Sequence, residues 1–222
     1  AFRPLFGWLP TDTIKRTFEI TTQYARMPIS TILKKRYKSP NPAVNVHRRD
    51  EPVATDTVFL DTPAIDGGET AAQIFVGTKS FVTDVEGMKS ESQFVNTLED
   101  NIRCHGAPTK LISDRAQVEI SNKVKDILRT LHISDWQSEP HQQHQNPCER
   151  RYQTSKLMAN TILDRTGSPA FLWLLCLGYV CFLLNNVAGS STGTVPIQML
   201  TGSMNDISPL LYFCWYEPVY YK

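Results

Sequence analysis

The chain has few cysteines, and their placement argues against a disulfide framework. Its 222 residues include five cysteines, an odd number, and no two of them form a Cys-x-x-Cys pair. Nothing in the sequence resembles a secretory signal peptide. We therefore expect reduced thiols and an intracellular protein.

Net charge is also small, and only its distribution is informative. The whole chain carries a formal charge of +1, which gives no indication of a nucleic-acid partner. Residues 1–50 hold ten Lys or Arg against three Asp or Glu, whereas residues 51–222 hold thirteen against nineteen. This asymmetry predicts a basic arm attached to a mildly acidic domain. If that domain binds DNA, metal ions, local basic patches or the arm must offset the repulsion.

One run of the sequence is almost wholly apolar, but it is short for a membrane span. Phe171–Leu184 contains 14 residues. As a helix it would be roughly 21 Å long, at 1.5 Å per residue, against a hydrocarbon core of about 30 Å. We expect a buried helix that packs on a sheet or at a subunit interface, and no membrane partner.

Apolar runs separated by turn-forming residues predict an α/β fold with a mixed five-stranded sheet flanked by helices. The predicted strands are Val53–Leu60, Ala71–Val76, Phe81–Glu86, Leu111–Ser113 and Ile133–Trp136. The predicted helices are 90–103, capped by Ser90, then 118–131 and 147–164. The resulting order is βββαβαβα.

The same patterns suggest three segments. Residues 1–50 read as a poorly packed basic arm or linker, with one short helix at Thr11–Tyr24. Its basic, proline-punctuated part includes Lys34, Lys35 and Arg36. That part is either a solvated tether or a DNA-binding arm. We expect residues 51–188 to form the main α/β domain and residues 189–222 to form an extension that starts a following module.

Two carboxylates have positions that favour metal chemistry. Asp114 ends a buried strand, and Glu149 lies in the first turn of a helix that opens at Asn146-Pro147. Side chains at the carboxyl end of a strand are the usual site residues of open α/β sheets. Taken singly, Asp114 is explained as an ordinary cap of the next helix, and Glu149 as a favourable charge at the positive end of the helix dipole. Together they indicate a site for Mg²⁺, which prefers oxygen ligands.

Basic residues near Glu149 suggest a phosphate-bearing substrate. Lys156 lies two turns after Glu149 and shares its face of the helix. Arg150 and Arg151 flank the same position and are candidates for contacts to a DNA backbone. The alternative for Lys156 is an ordinary solvated surface lysine.

A zinc site is a weaker alternative in the preceding loop. Residues His141, His144 and Cys148 have the spacing His-x-x-His-x-x-x-Cys, but no fourth ligand stands at a useful distance along the chain.

These residues together resemble a known family. Residues 51–215 are similar to the catalytic core of copia-type retroelement integrases, which has a ribonuclease H-like fold. Gln145–Arg150 resembles the Asn-x-x-Glu motif of that family, and Ser113-Asp114 resembles the strand end that carries its second aspartate. Pro196–Gly202 resembles its Pro-x-x-x-Leu-Thr-Gly segment, and Asp206–Leu210 continues the likeness.

The resemblance implies a DDE-type polynucleotidyl transferase within a Pol polyprotein. Such an enzyme trims the 3′ ends of element DNA and joins them to target DNA, with two Mg²⁺ or Mn²⁺ ions. It implies Asp56, Asp114 and Glu149 as catalytic metal ligands. DNA and further copies of the chain would be its partners, in the nucleus and in an intracellular virus-like particle.

Three points remain open at this stage. Asp61 is the alternative to Asp56 as first ligand, because both lie in or beside the first strand. A degenerate or domesticated core that only binds DNA is one alternative function. A ribonuclease H-like nuclease that cuts without joining is the other.

Overall fold

The computed structural model describes residues 2–25, 39–113, 121–137, 147–189 and 192–218. Five strands form one sheet in the order β3-β2-β1-β4-β5. Strands β1, β2 and β3 pair antiparallel, whereas β4 is parallel to both β1 and β5. The predicted mixed sheet is confirmed. The strands are β1 Pro52–Phe59, β2 Ala71–Gly77, β3 Thr83–Met88, β4 Lys110–Ser113 and β5 Ser134–Gln137.

Helices cover both faces of this sheet. Within the described residues they are α1 Thr11–Ile20, α2 Pro42–Asn45, α3 Phe94–His105, α4 Asn122–Thr130, α5 Pro147–Thr166, α6 Trp173–Asn186 and α7 Pro196–Thr201. The alternation along β1 explains the two layers, because successive side chains point to opposite faces. Val53 is buried in a cluster with residues of α3 and α4. Ala54 and Val58 are buried in a second cluster with residues of α5 and α6.

The ends of the chain pack more closely on the core than the sequence indicated. Phe6 and Ile14 are 0% and 5% exposed and belong to the cluster beneath α5 and α6, as do Ile207 and Leu210. Thr22 forms an isolated parallel bridge with Asp206. The prediction that residues 1–50 are poorly packed is therefore wrong for residues 2–22. Their apolar side chains contribute to the core.

Most of the apolar run forms the helix α6, which is buried on one face and exposes Leu175 and Phe182 on the other. Cys176, Val180 and Leu183 of α6 have no exposed surface, and burial raises the pKa of the Cys176 thiol to about 12. All five cysteines are free of disulfide bonds. None of the helices in the described ranges combines the length and apolarity needed to cross a membrane.

Candidate active site

Asp56 lies in the middle of β1 and faces the layer formed by α5 and α6. Its Cα pairs with Ile74 of β2, and two residues earlier Ala54 pairs with Ile112 of the parallel strand β4. Ala54 and Val58, which share its parity along the strand, are buried in the cluster beneath that layer. The Asp56 side chain is half-buried. Strand structure on both sides therefore holds this carboxylate.

Glu149 lies in the first turn of α5, next to a residue that fixes the helix on the sheet. Cys148 has no exposed surface, and its Sγ donates a hydrogen bond to the carbonyl oxygen of Ile74 at 3.6 Å. Because Ile74 is the β2 partner of Asp56, the start of α5 packs on the sheet at the level of that aspartate. The contact brings the two predicted carboxylates to one region.

Tyr152 lies in the same region as Asp56. It lies one turn after Glu149 on α5, and its half-buried ring packs against the core. Burial raises the pKa of the Tyr152 phenol, and the negative charge of Asp56 raises it further. Such an effect requires the two groups to be close. Asp56 therefore approaches the face of α5 that carries Glu149.

Lys156 continues that face of the helix. Its Nζ lies 5.9 Å from the centroid of the Tyr152 ring, which is within the roughly 6 Å range of a cation–π contact. Helical spacing predicted that Lys156 accompanies Glu149 but did not single out Tyr152. The sequence contains this information, because Tyr152 lies three residues after Glu149 and four residues before Lys156, and residues at these spacings are neighbours on a helix.

The third predicted carboxylate, Asp114, lies outside the described residues. Strand β4 is described as far as Ser113, which directly precedes Asp114 in the chain. Within the described ranges no three His, Cys, Asp or Glu side chains are grouped closely enough to hold a metal ion. Asp56 and Glu149 supply carboxylate oxygens, the donor type that suits Mg²⁺.

Comparisons with known proteins identify the architecture. No protein-family model and no curated protein sequence match this chain. A chain of the simian T-cell lymphotropic virus intasome in complex with PP2A regulatory subunit B56 gamma has a TM-score of 0.56 at 13% identity, covering 78% of this chain and 62% of that one.

The HTLV-2 integrase catalytic core domain in complex with magnesium gives similar results. Its dimeric form has a TM-score of 0.54 at 15% identity, covering 70% of this chain and 97% of that one. Its trimeric form has a TM-score of 0.55 at 16% identity, covering 68% and 97%. This chain has the fold of an integrase catalytic core. That fold is ribonuclease H-like, as predicted.

Within this integrase-core fold, the two arginines after Glu149 have different positions. Arg150 is exposed, and its guanidinium makes no hydrogen bond or ion pair within the described residues. Arg151 turns inward, where its Nε donates to the hydroxyl of Thr83 at 2.8 Å and its Nη2 donates to the carbonyl of Leu184 at 3.4 Å. Arg151 therefore links α5 to β3 and α6, and we do not retain it as a DNA contact. The predicted DNA contacts Lys34, Lys35 and Arg36 lie outside the described residues.

Two alternative ligands have less favourable positions in this fold. Asp61 is exposed and lies beyond the end of β1. At about 3.3 Å per residue it is on the order of 16 Å from Asp56 along the chain. Of the residues considered for zinc, His141 and His144 lie outside the described ranges, and the Cys148 thiol is buried against Ile74.

Proposed function

We propose that this chain is a retrotransposon integrase catalytic core that processes the 3′ ends of element DNA and joins them to target DNA. The observation that carries the proposal is the Cys148–Ile74 contact, which packs the first turn of α5, with Glu149, on β2 next to the position of Asp56. The fold supports it, and the HTLV-2 cores of the same fold are complexes with magnesium.

Three carboxylates, Asp56, Asp114 and Glu149, would hold two divalent ions, Mg²⁺ or Mn²⁺. Asp114 directly follows Ser113, the last described residue of β4, and is assigned from the sequence pattern. Bound ions would supply stabilisation of the attacking and leaving oxygens during an in-line displacement.

Cations on α5 and in the basic arm would position the DNA. The Tyr152 ring restrains Lys156 on the face that carries Glu149, so its ammonium can bind a phosphate next to the reacting one. Arg150 is exposed on the same helix, and the arm with Lys34, Lys35 and Arg36 adds further sequence-independent contacts. These groups offset the repulsion between DNA and a mildly acidic domain.

The segment Pro196–Gly202 supports the finer assignment to copia-type elements. Pro196 stands at the first position of α7, where its missing N–H costs little. Gly202 follows α7 with φ 70°, and its N–H donates to the carbonyl of Gln198. This left-handed backbone suits glycine. The motif therefore encodes a helix with its own start and stop.

A second copy of this chain is the proposed protein partner, bound through α6. None of the 40 residues from 166 to 205 is charged, so burying this surface desolvates no ion. Leu175 and Phe182 lie on one stripe of α6 with Gly178 and are 43% and 48% exposed, and Phe171, in the 3-10 turn just before α6, is 42% exposed. In an antiparallel twofold pairing, Leu175 would face Gly178 of the partner subunit, and Phe171 would face Phe182 of the partner subunit.

As part of a Pol polyprotein, such a core would act in the nucleus and accompany the element in an intracellular virus-like particle. DNA is its proposed substrate, both as element ends and as target.

A joining assay tests the proposed function. Duplex oligonucleotides with the terminal sequence of the parent element are incubated with the protein and a plasmid target, in Mg²⁺ and separately in Mn²⁺. Joined products that are absent with Glu149→Gln support the integrase. Cleavage without joining would indicate a nuclease, and DNA binding without either reaction would indicate a degenerate core.

A further inference from the structure

A cavity of about 420 Å³ lies beside the amino-terminal half of α5. Pro147, Arg150, Arg151 and Thr154 line it from one face of this helix. At 100° per residue, that face is opposite to the one formed by Glu149, Tyr152 and Lys156. The start of α1, the turn between β2 and β3, and the chain from the carboxyl end of α6 to the start of α7 complete the described walls. The cavity and the candidate carboxylates therefore lie on opposite flanks of one helix.

The lining of the cavity is apolar with positive charge at one side. Leu9, Leu184 and Val187 are among its apolar residues, and none of its described lining residues is Asp or Glu. Of the two lining arginines, Arg151 is already bound to Thr83 and Leu184. Arg150 is exposed and has a guanidinium without a partner in the described part of the chain. The guanidinium of Arg150 therefore favours an anionic ligand in this cavity.

Phe81 adds an aromatic ring to the rim. It is 37% exposed, and its backbone has the left-handed value φ 61°. This region is unfavourable for a bulky residue, by about 1–3 kcal/mol for a non-glycine residue. The turn nevertheless keeps a flat apolar side chain at the cavity. A planar group with an attached anion matches the ring, the apolar walls and Arg150 together.

We propose that this cavity binds the base of one unpaired DNA nucleotide, stacked against Phe81, while Arg150 binds its phosphate. This inference rests on the proposed function, since it takes DNA as the substrate. The volume is in the range of roughly 300–1,000 Å³ found for small-ligand sites. Aromatic stacking of this kind binds any base, because every base has a π-face.

The position on α5 sets the distance to the reacting phosphate. A helix with side chains is about 10–12 Å across. A strand that passes over the start of α5 therefore spans roughly three nucleotides, at about 3.4 Å each, between the carboxylates and the cavity. The bound nucleotide would lie about that far from the phosphate at which DNA is cut, and it would be drawn out of the duplex.

The test measures binding rather than catalysis. Fluorescence anisotropy compares a DNA end with a short unpaired strand to the same DNA carrying an abasic site at successive positions. The protein variants are Phe81→Leu, which keeps an apolar side chain without a flat ring, Thr154→Trp, which fills the cavity from an exposed position, and Arg150→Gln. Arg129→Gln, an exposed arginine on α4, is the matched control, and thermal melting checks that each variant is folded.

An abasic site about three nucleotides from the cut is expected to weaken binding to the parental protein by about tenfold, within the stacking range. Phe81→Leu and Thr154→Trp should weaken the binding of intact DNA by a similar factor. On the DNA with that abasic site, these variants should bind no more weakly than the parental protein does. Arg150→Gln should reduce the slope of log affinity against log salt by about 0.7, with either DNA. Arg129→Gln should change neither quantity.

The proposal would be overturned if the parental protein bound intact DNA and abasic DNA equally well, wherever the abasic site lies. It would also be overturned if the Phe81 and Thr154 variants lost as much affinity for the abasic DNA as for the intact DNA. If base-dependent binding is found but no joining occurs, the cavity assignment stands and the proposed integrase activity fails. If joining occurs without base dependence, the cavity assignment alone fails.

Discussion

The Cys148 thiol and the Ile74 carbonyl oxygen are 3.6 Å apart, and their contact fixes where α5 meets the sheet. The same carbonyl accepts a hydrogen bond from the hydroxyl of Thr55 at 2.9 Å. One buried oxygen therefore joins β1, β2 and α5 beside both Asp56 and Glu149. Metal-assisted chemistry requires ligands held by rigid elements. Here the packed core, rather than a loop, holds the two carboxylates.

The change Glu149→Gln should abolish joining while leaving the fold intact, because the two side chains are nearly isosteric. We expect a loss of at least about a hundredfold, beyond the 10–100-fold typical of changes behind a metal ligand. Joining rates and Mn²⁺ titration measure the effect. Asp164→Asn, an exposed change on the same helix, is the control. Near-parental joining by the Glu149 variant would show that the metal-site assignment is wrong.

Local sequence patterns predicted the sheet well because its determinants are local. Turn residues such as Gly67-Gly68 separate the strands, and the alternation of Val53 and Ala54 marks the two faces of β1. The observed strand ends lie within two residues of the predicted ones. The helix α5 was also predicted, from Pro147 to about Asp164, and the described helix runs from Pro147 to Thr166.

Features that depend on distant partners were not predictable in this way. Arg151 turns inward because Thr83 and Leu184, which are 68 and 33 residues away, accept its hydrogen bonds. Ser90 does not cap α3 as predicted. Its hydroxyl pairs with that of Ser92, and a short 3-10 turn precedes the first residue of α3. No local pattern distinguishes these outcomes from the predicted ones.

Arg151 and Arg150 should differ in their contribution to stability. Arg151→Ala removes hydrogen bonds of a half-buried guanidinium, and should lower the free energy of unfolding by about 1.5–3 kcal/mol. Arg150→Ala changes an exposed residue and should stay within about 0.5 kcal/mol of the parent. Urea denaturation measures both. Equal small effects would mean that the inward contacts of Arg151 contribute little.

The buried pair of Glu51 and Arg49 should make stability depend on pH. Burial tends to raise the pKa of Glu51, but hydrogen bonds from Ser80 and the charge of Arg49 outweigh it and lower the pKa. A lowered pKa means that Glu51 stabilises the fold above its unfolded pKa of about 4.3, and that this stabilisation is lost as pH falls through the folded value. At pH 7, Glu51→Gln should cost about 3–5 kcal/mol.

Urea denaturation of the parent and of Glu51→Gln across pH 3–7 tests this. The difference between the two proteins should shrink toward acid, while the exposed change Glu91→Gln shows no such trend. A difference that stays constant with pH would mean that the ionised form of Glu51 is not what stabilises the fold.

The proposed pairing through α6 predicts the effect of one charge. Leu175→Lys would bury an ammonium opposite Gly178 of the partner subunit, so the variant should sediment as a monomer where the parent sediments as a dimer. Leu157 is 71% exposed on α5, away from the stripe, and Leu157→Lys is the control. Analytical ultracentrifugation measures both. A parental distribution of oligomers for Leu175→Lys would place the interface elsewhere.

Comparison of Asp56→Asn with Asp61→Asn should identify the first metal ligand. Asp56 has strand on both sides and lies close enough to Tyr152 for its charge to raise the phenol pKa. Asp61 is exposed beyond the strand end, in a loop where a ligand would be poorly placed. We therefore expect Asp56→Asn alone to lose Mn²⁺ binding and joining. It should also lower the pKa of Tyr152, because a nearby negative charge disappears, and ultraviolet titration of the phenol would detect this without any metal. Loss of both activities in the Asp61 variant alone would assign the ligand to Asp61.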